Sequence, residues 1–109
     1  MAEPTAADLR RMTLKVIDAE EVTVTTSGTC VNPSSNTDAV AVRVINNTSN
    51  IVMVGMDATH VDGSSSPKLG FPLAQYDSRL FYVEDNANEV QIDASADSTQ
   101  VSIEILGRS

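Results

Sequence analysis

Apolar and polar residues alternate with a period of two through much of this chain. Val101, Ile103 and Ile105 fall on one side of the run 100–106, with Gln100, Ser102 and Glu104 on the other. In the run 89–94, Val90, Ile92 and Ala94 alternate with Glu89, Gln91 and Asp93. Period two is the signature of a strand with one buried face. Val22-Thr23-Val24-Thr25-Thr26 is β-branched throughout, which strands accommodate and helices resist. The pattern predicts strands at 14–18, 21–26, 39–46, 51–55, 79–83, 90–94 and 100–106. Leu14, Val16 and Ile17 should face inward, and Asp18-Ala19-Glu20-Glu21 should turn between the first two strands. Val42, Val44, Val54, Phe81, Ile92 and Ile103 belong to the expected core, and Gln91 and Asp93 to the solvent face.

The stretch Asp38–Gly55 organises the pattern. Val40, Val42 and Val44 alternate with smaller or charged residues, and Ile51-Val52-Met53-Val54 is a second apolar run. Asn46-Asn47-Thr48-Ser49-Asn50 lies between them, and short polar side chains of this kind bond to nearby backbone in turns. Strand, polar turn and strand read as a β-hairpin. Two longer stretches, 27–37 and 56–76, are irregular and rich in Ser, Gly, Asn and Pro. The expected fold is therefore all-β: one antiparallel β-sandwich or flattened barrel, with jelly-roll and immunoglobulin-like strand orders both open.

Residues 1–12 break the pattern. Pro4 to Met12 is rich in Ala, Leu and Arg, too short for a helix that is stable alone. It reads as an N-terminal arm ahead of a β-sandwich domain at 13–109. Leu9 and Met12 would serve as apolar anchors on a neighbouring protein, and Arg10 and Arg11 would pair with acidic groups there.

Length and charge narrow the class. With 109 residues there is room for one domain. Aromatic residues make up 4%, so the core must be aliphatic. A net charge of −8 opposes binding to nucleic acid, which needs a basic face. No apolar run reaches the roughly 18 residues of a membrane span, and the first residues lack the apolar segment of a secretory signal.

Candidate chemistry is sparse. The single cysteine, Cys30, cannot form an intrachain disulfide. His60 lies between Asp57 and Asp62, residue types that bind divalent ions, but this spacing matches no specific metal site. A Cys30–His60 nucleophile pair is arithmetically open, with nothing in the sequence to orient it. Phosphate loops and zinc motifs do not occur. The expectation is a protein that is not an enzyme, with no cofactor and no metal.

The run VRVINNTSNIVMVGMDATHV, followed by GFPLAQYDSRLFYVEDNANEVQIDASADSTQVSIEIL, resembles small β-sandwich structural proteins of tailed bacteriophages. The likeness covers about residues 40–106 and rests on strand patterning and turn placement. It implies a virion structural protein assembled in the host cytoplasm. The foremost role would be a capsid decoration, or cement, subunit. Such a subunit bridges copies of the major capsid protein, commonly as a symmetric homo-oligomer such as a trimer. The alternative is a neck, tail or fibre module that binds a receptor or carbohydrate. That role asks for an aromatic platform, and Tyr76, Phe81 and Tyr82 look too few and too core-like to supply it.

Overall fold

A computed structural model describes residues 13–108. Seven strands form: β1 (Leu14–Val24), β2 (Ala41–Ile45), β3 (Val52–Gly55), β4 (Phe71–Leu73), β5 (Ser78–Tyr82), β6 (Gln91–Ala94) and β7 (Thr99–Arg108). They make two antiparallel sheets, β1-β7-β2-β5 and β4-β3-β6, here called sheets A and B. Packed face to face, the two sheets form a β-sandwich.

The pairing follows one rule. Val24 pairs with Thr99, Val31 with Ile92, Ala41 with Tyr82, Ile45 with Ser78 and Val52 with Leu73. Each step forward along the first half of the chain meets a step backward along the second. The chain is thus one long antiparallel hairpin, and the hairpin is rolled. Its successive pairs alternate between sheets: β1–β7 in A, Val31–β6 in B, β2–β5 in A, β3–β4 in B. With Val31 counted as a vestigial eighth strand beside β6, this is the strand order of a jelly roll.

Two expectations about how the strands connect change. β2 and β3 do not pair, so Asp38–Gly55 is not a hairpin; its polar turn carries the chain from sheet A to sheet B. The turn is built on Asn46, which is fully buried. Its amide donates to the carbonyls of Asn50 and Leu73, and its Oδ1 accepts from Thr48 N–H and Oγ1. That set satisfies a polar side chain inside an apolar layer, as burial demands. The second change is in β1, where the anticipated turn at 18–21 is absent. One strand runs through it, and a β-bulge at Ile17 shifts the register between Val16 and Asp18.

The core is aliphatic. Val24, Val42, Val44, Val101, Ile103 and Ile105 come from sheet A, and Val52, Val54, Leu73, Ile92 and Ala94 from sheet B. Each fully buried Val, Leu or Ile among them contributes about 1.5–3 kcal/mol of gross burial energy. Phe81 is half-buried and packs against this cluster instead of lying inside it. On the β4–β5 side, the Arg79 guanidinium lies 3.9 Å from the Phe71 ring centroid and closes the gap between the two sheet edges.

Candidate functional site

Parts of the two long irregular stretches, around residues 27–30 and 61–64, cover the outer face of sheet B. Ile92 and Ala94 face the core, so Asp93 between them faces outward beside its partner Met53. Yet Asp93 is fully buried and Met53 nearly so. The cover comes from residues distant in sequence. Gly63 N–H donates to Asp93 Oδ2 at 2.7 Å, and Gly28 N–H donates to both carboxylate oxygens at 3.1 Å. Ser27 Oγ–H adds a bond to the Ala94 carbonyl at 2.6 Å. One carboxylate therefore latches both loops to β6.

Glycine is required at both contacts. A Cβ on Gly63 would come within 2.6 Å of the Ala94 backbone, and Gly28 has a φ of +95°. The sequence pattern assigned Asp93 to the correct face but to solvent. What covers it is not encoded in the period of β6.

The same layer holds the candidate chemical residues, and each is committed to local structure. The Cys30 thiol donates to the Val61 carbonyl at 3.2 Å. Burial pushes its pKa up, and the negative charges of Asp93 and Asp62 push it further. Such a thiol is a poor nucleophile at neutral pH. His60 Nδ1 lies 3.1 Å from Asp57 Oδ2 and 3.0 Å from Thr59 Oγ1, on an exposed 3-10 turn that Asp57 caps. Asp57 is held below the usual carboxylate range by the Thr59 hydroxyl, the Thr59 N–H and His60. The Asp62 carboxylate accepts from the hydroxyls and N–H groups of Ser64 and Ser65. Asp57, His60 and Asp62 are thus spent on two separate turns, and no group of three possible metal ligands occurs among the described residues.

A different feature arises in sheet A. β1 and β7 have 11 and 10 residues, against 4 or fewer in each strand of sheet B. Residues Leu14 to Ala19 contribute nothing to the core cluster. Contrary to the inward placement expected of it, Val16 lies on the outer face and is 46% exposed; Ile17 faces the inner side, beside Gly107, but is 36% exposed because the core does not reach it. This end of sheet A overhangs the sandwich. On its outer face the register aligns Val16, Leu106, Ala41 and Tyr82 in one apolar row across all four strands. Tyr82 is 67% exposed at the far end of that row. The next row holds the Arg43–Glu104 ion pair, at 3.0 Å.

β1 is the outer strand of sheet A, and its free edge is guarded. Lys15, Asp18, Glu20 and Glu21 lie along β1, and the bulge at Ile17 interrupts its ladder. Charges and bulges on an edge strand oppose the addition of another strand. On the inner face of the overhang a cleft of about 590 Å³ opens between β1, the end of β7 and residues 37–40.

The arm residues Leu9, Arg10, Arg11 and Met12 lie outside the described residues. The contour of the molecule at Val16, Ile17 and Tyr82 was missed in the sequence. The only signal for it is the mismatch between long terminal strands and short internal ones. Compared with protein-family models, with curated proteins and with solved structures, the chain matches none.

Proposed function

We propose that this chain is a non-catalytic structural subunit that binds protein surfaces, and specifically a decoration subunit on the outside of a phage capsid. In this reading it works as a homo-oligomer, a trimer by preference, and bridges neighbouring copies of the major capsid protein. The observation that carries the reading is the overhang. A well-formed strand end that adds nothing to its own core, with Val16 and Ile17 meeting water, is a surface that a second protein can cover. Residues 1–12 lead directly into this strand, and Leu9, Arg10, Arg11 and Met12 would extend the same contact.

The fold is compatible with this role. Jelly rolls recur in viral capsid and lectin domains, and a fold hosts many functions. The loop layer offers hydrogen-bonded turns in place of reactive groups. A subunit that binds only the assembled shell stabilises that shell by linkage.

The test is sedimentation of the purified protein with assembled capsids, with tails and with neither. Capsid-dependent pelleting supports decoration. Pelleting with tails alone assigns the chain to the neck, tail or fibre alternative, and no pelleting removes the virion role. Tyr76 and Tyr82, 76% and 67% exposed, are more available to a carbohydrate than their sequence context suggested. They flank opposite ends of β5, which does not make one stacking platform.

A further inference from the structure

The chain's four aromatic residues, Phe71, Tyr76, Phe81 and Tyr82, all lie on β4, on β5 or in the turn between them. β4 and β5 are edge strands of sheets B and A, so the aromatics gather on one flank of a sandwich whose core is aliphatic. Arg79 lies over both phenylalanine rings, 3.9 Å from the Phe71 centroid and 5.9 Å from that of Phe81. Aromatic residues and arginine are the types enriched where proteins meet.

Three of the four sheet edges are guarded. β1 carries charges and a bulge. β4 is three residues long with Pro72 at its centre. β6 has Val31 beside it, and Val31 and Ile92 exchange both backbone bonds. Proline, bulges, charges and covering chain are the devices that keep an edge from pairing. β5 has none of them. Its register against β2 is unbroken from Ser78 to Tyr82, and its one charge, Arg79, points inward onto Phe71.

The phase of the ladder tells which groups this edge offers. Asn46 N–H donates to the Asp77 carbonyl and Val83 N–H to the Val40 carbonyl, both at 3.0 Å. In an antiparallel ladder, pairs that bond alternate with pairs that do not. Residues 77, 79, 81 and 83 therefore turn their backbone groups to β2. Ser78, Leu80 and Tyr82 turn theirs to the edge, where no strand meets them among the described residues.

We infer that β5 pairs antiparallel with β5 of a second copy, about a two-fold axis at Leu80, so that two copies of sheet A become one continuous sheet. The occupant follows from the edge's match to itself. With the axis at Leu80, Ser78 faces the partner's Tyr82, Leu80 faces the partner's Leu80, and Tyr82 faces the partner's Ser78. Each is a bonding pair, because only outward-turned residues meet. On the inner face Arg79 stands opposite the partner's Phe81, a cation against a ring. Asp77 falls opposite the partner's Val83, so no carboxylate is set against another in a chain whose net charge is −8. An unrelated extended strand would meet the same backbone groups, with nothing to select its side chains. This contact goes beyond the proposed function and holds whatever else the protein binds. A two-fold pair does not close a trimer, so a trimeric assembly would add a contact on another surface.

The test uses the full chain. Sedimentation equilibrium should give a concentration-dependent dimer, and amide exchange at Ser78, Leu80 and Tyr82 should slow as the dimer fills. Leu80→Lys sets two like charges face to face on the axis and should weaken the dimer at least tenfold. Val16→Asp, on the far edge of sheet A, should leave it unchanged. Cysteines in a Cys30→Ala background read the register. Leu80→Cys should oxidise to a covalent dimer, since Cα atoms of a bonded pair lie about 5.5 Å apart. Tyr82→Cys, placed opposite the partner's Ser78, should stay reduced. If Leu80→Lys does not fold, the two cysteine variants decide. A monomer at every concentration would overturn the inference, whether the edge amides exchange freely or another segment of the same chain protects them. So would an oligomer that Leu80→Lys leaves intact, or one that Tyr82→Cys crosslinks as readily as Leu80→Cys. The proposed function fails separately. A dimer that never pellets with capsids or tails contradicts only that reading, and a monomer that pellets with them contradicts only the β5 pair.

Discussion

Asp93 shows how a single side chain fixes a layer of structure. Its carboxylate accepts the N–H groups of two glycines, one from each long loop, with that of Gly28 shared between both oxygens. Asp93→Asn exchanges one acceptor oxygen for an NH₂ donor that faces those N–H groups. It should cost about 1–3 kcal/mol, because a buried donor left unpaired carries its full desolvation penalty. Gly63→Ala should destabilise as well, since its Cβ would meet backbone that cannot step aside. Urea midpoints of the two variants against wild type check both. Asp62 makes a pH-dependent contribution at the same end. Hydrogen bonds, the Ser65 hydroxyl first and then the Ser64 N–H, push its carboxyl down to about 2. A folded-state pKa below the unfolded one means that the contribution is complete above the ordinary carboxylate pKa, about 4. It is then lost as pH falls towards 2. A carboxyl-carbon NMR titration should place the Asp62 midpoint near that lower value, and Asp62→Asn should flatten the acid limb of the stability curve. Of these roles the sequence displayed little. Alternation in β6 assigns Asp93 to the outward face, but the cover on that face comes from chain 30 and 65 residues away.

At the scale of elements, strand patterning was legible and pairing was not. The alternation in the last two strands places Ile92, Ala94, Val101, Ile103 and Ile105 in the core, where the structure has them. β4 (Phe71–Leu73) escaped because three residues are too few for a period to register. The turn at Asn46–Asn50 was legible as a turn, since Asn, Thr and Ser bond locally whether the flanking strands pair or part. Its destination depends on Asn46 reaching the Leu73 carbonyl, a contact 27 residues along the chain. β1 misled in the opposite sense: Asp18-Ala19-Glu20-Glu21 has a turn's polarity but is a strand held by β7. The pairing can be checked chemically. Ile45 and Ser78 are direct partners in β2–β5, so their Cα atoms lie within the span of a disulfide. Cysteines at these positions, in a Cys30→Ala background, should oxidise readily. A pair at Ile45 and Val52, which a β2–β3 hairpin would juxtapose, should remain reduced.

The whole molecule is a rolled hairpin with unequal arms, 43 Å long and only 23 by 22 Å across. Its inner pairs are short and sandwiched, and its outermost pair, β1–β7, runs on past them. In the proposed reading, stability and contact are separated along the long axis. The aliphatic core lies between the sheets, while Val16, Ile17 and the cleft lie at the overhanging end. The all-β class followed from alternation alone. The overhang did not, because it depends on how far one sheet extends beyond the other. The central claim is that this end binds protein and does not hold the fold together, and Val16→Asp tests it. Val16 is 46% exposed on the outer face and has no place in the core cluster. Its substitution should shift the melting temperature by no more than a few degrees, about what 1 kcal/mol produces in a domain of this size. The most direct measurement is the occupancy of assembled capsids by wild type and Val16→Asp, determined by co-sedimentation alongside their melting curves. The account expects occupancy to fall at least tenfold while the melting curve barely moves. Unchanged occupancy, or a variant that unfolds, would contradict it.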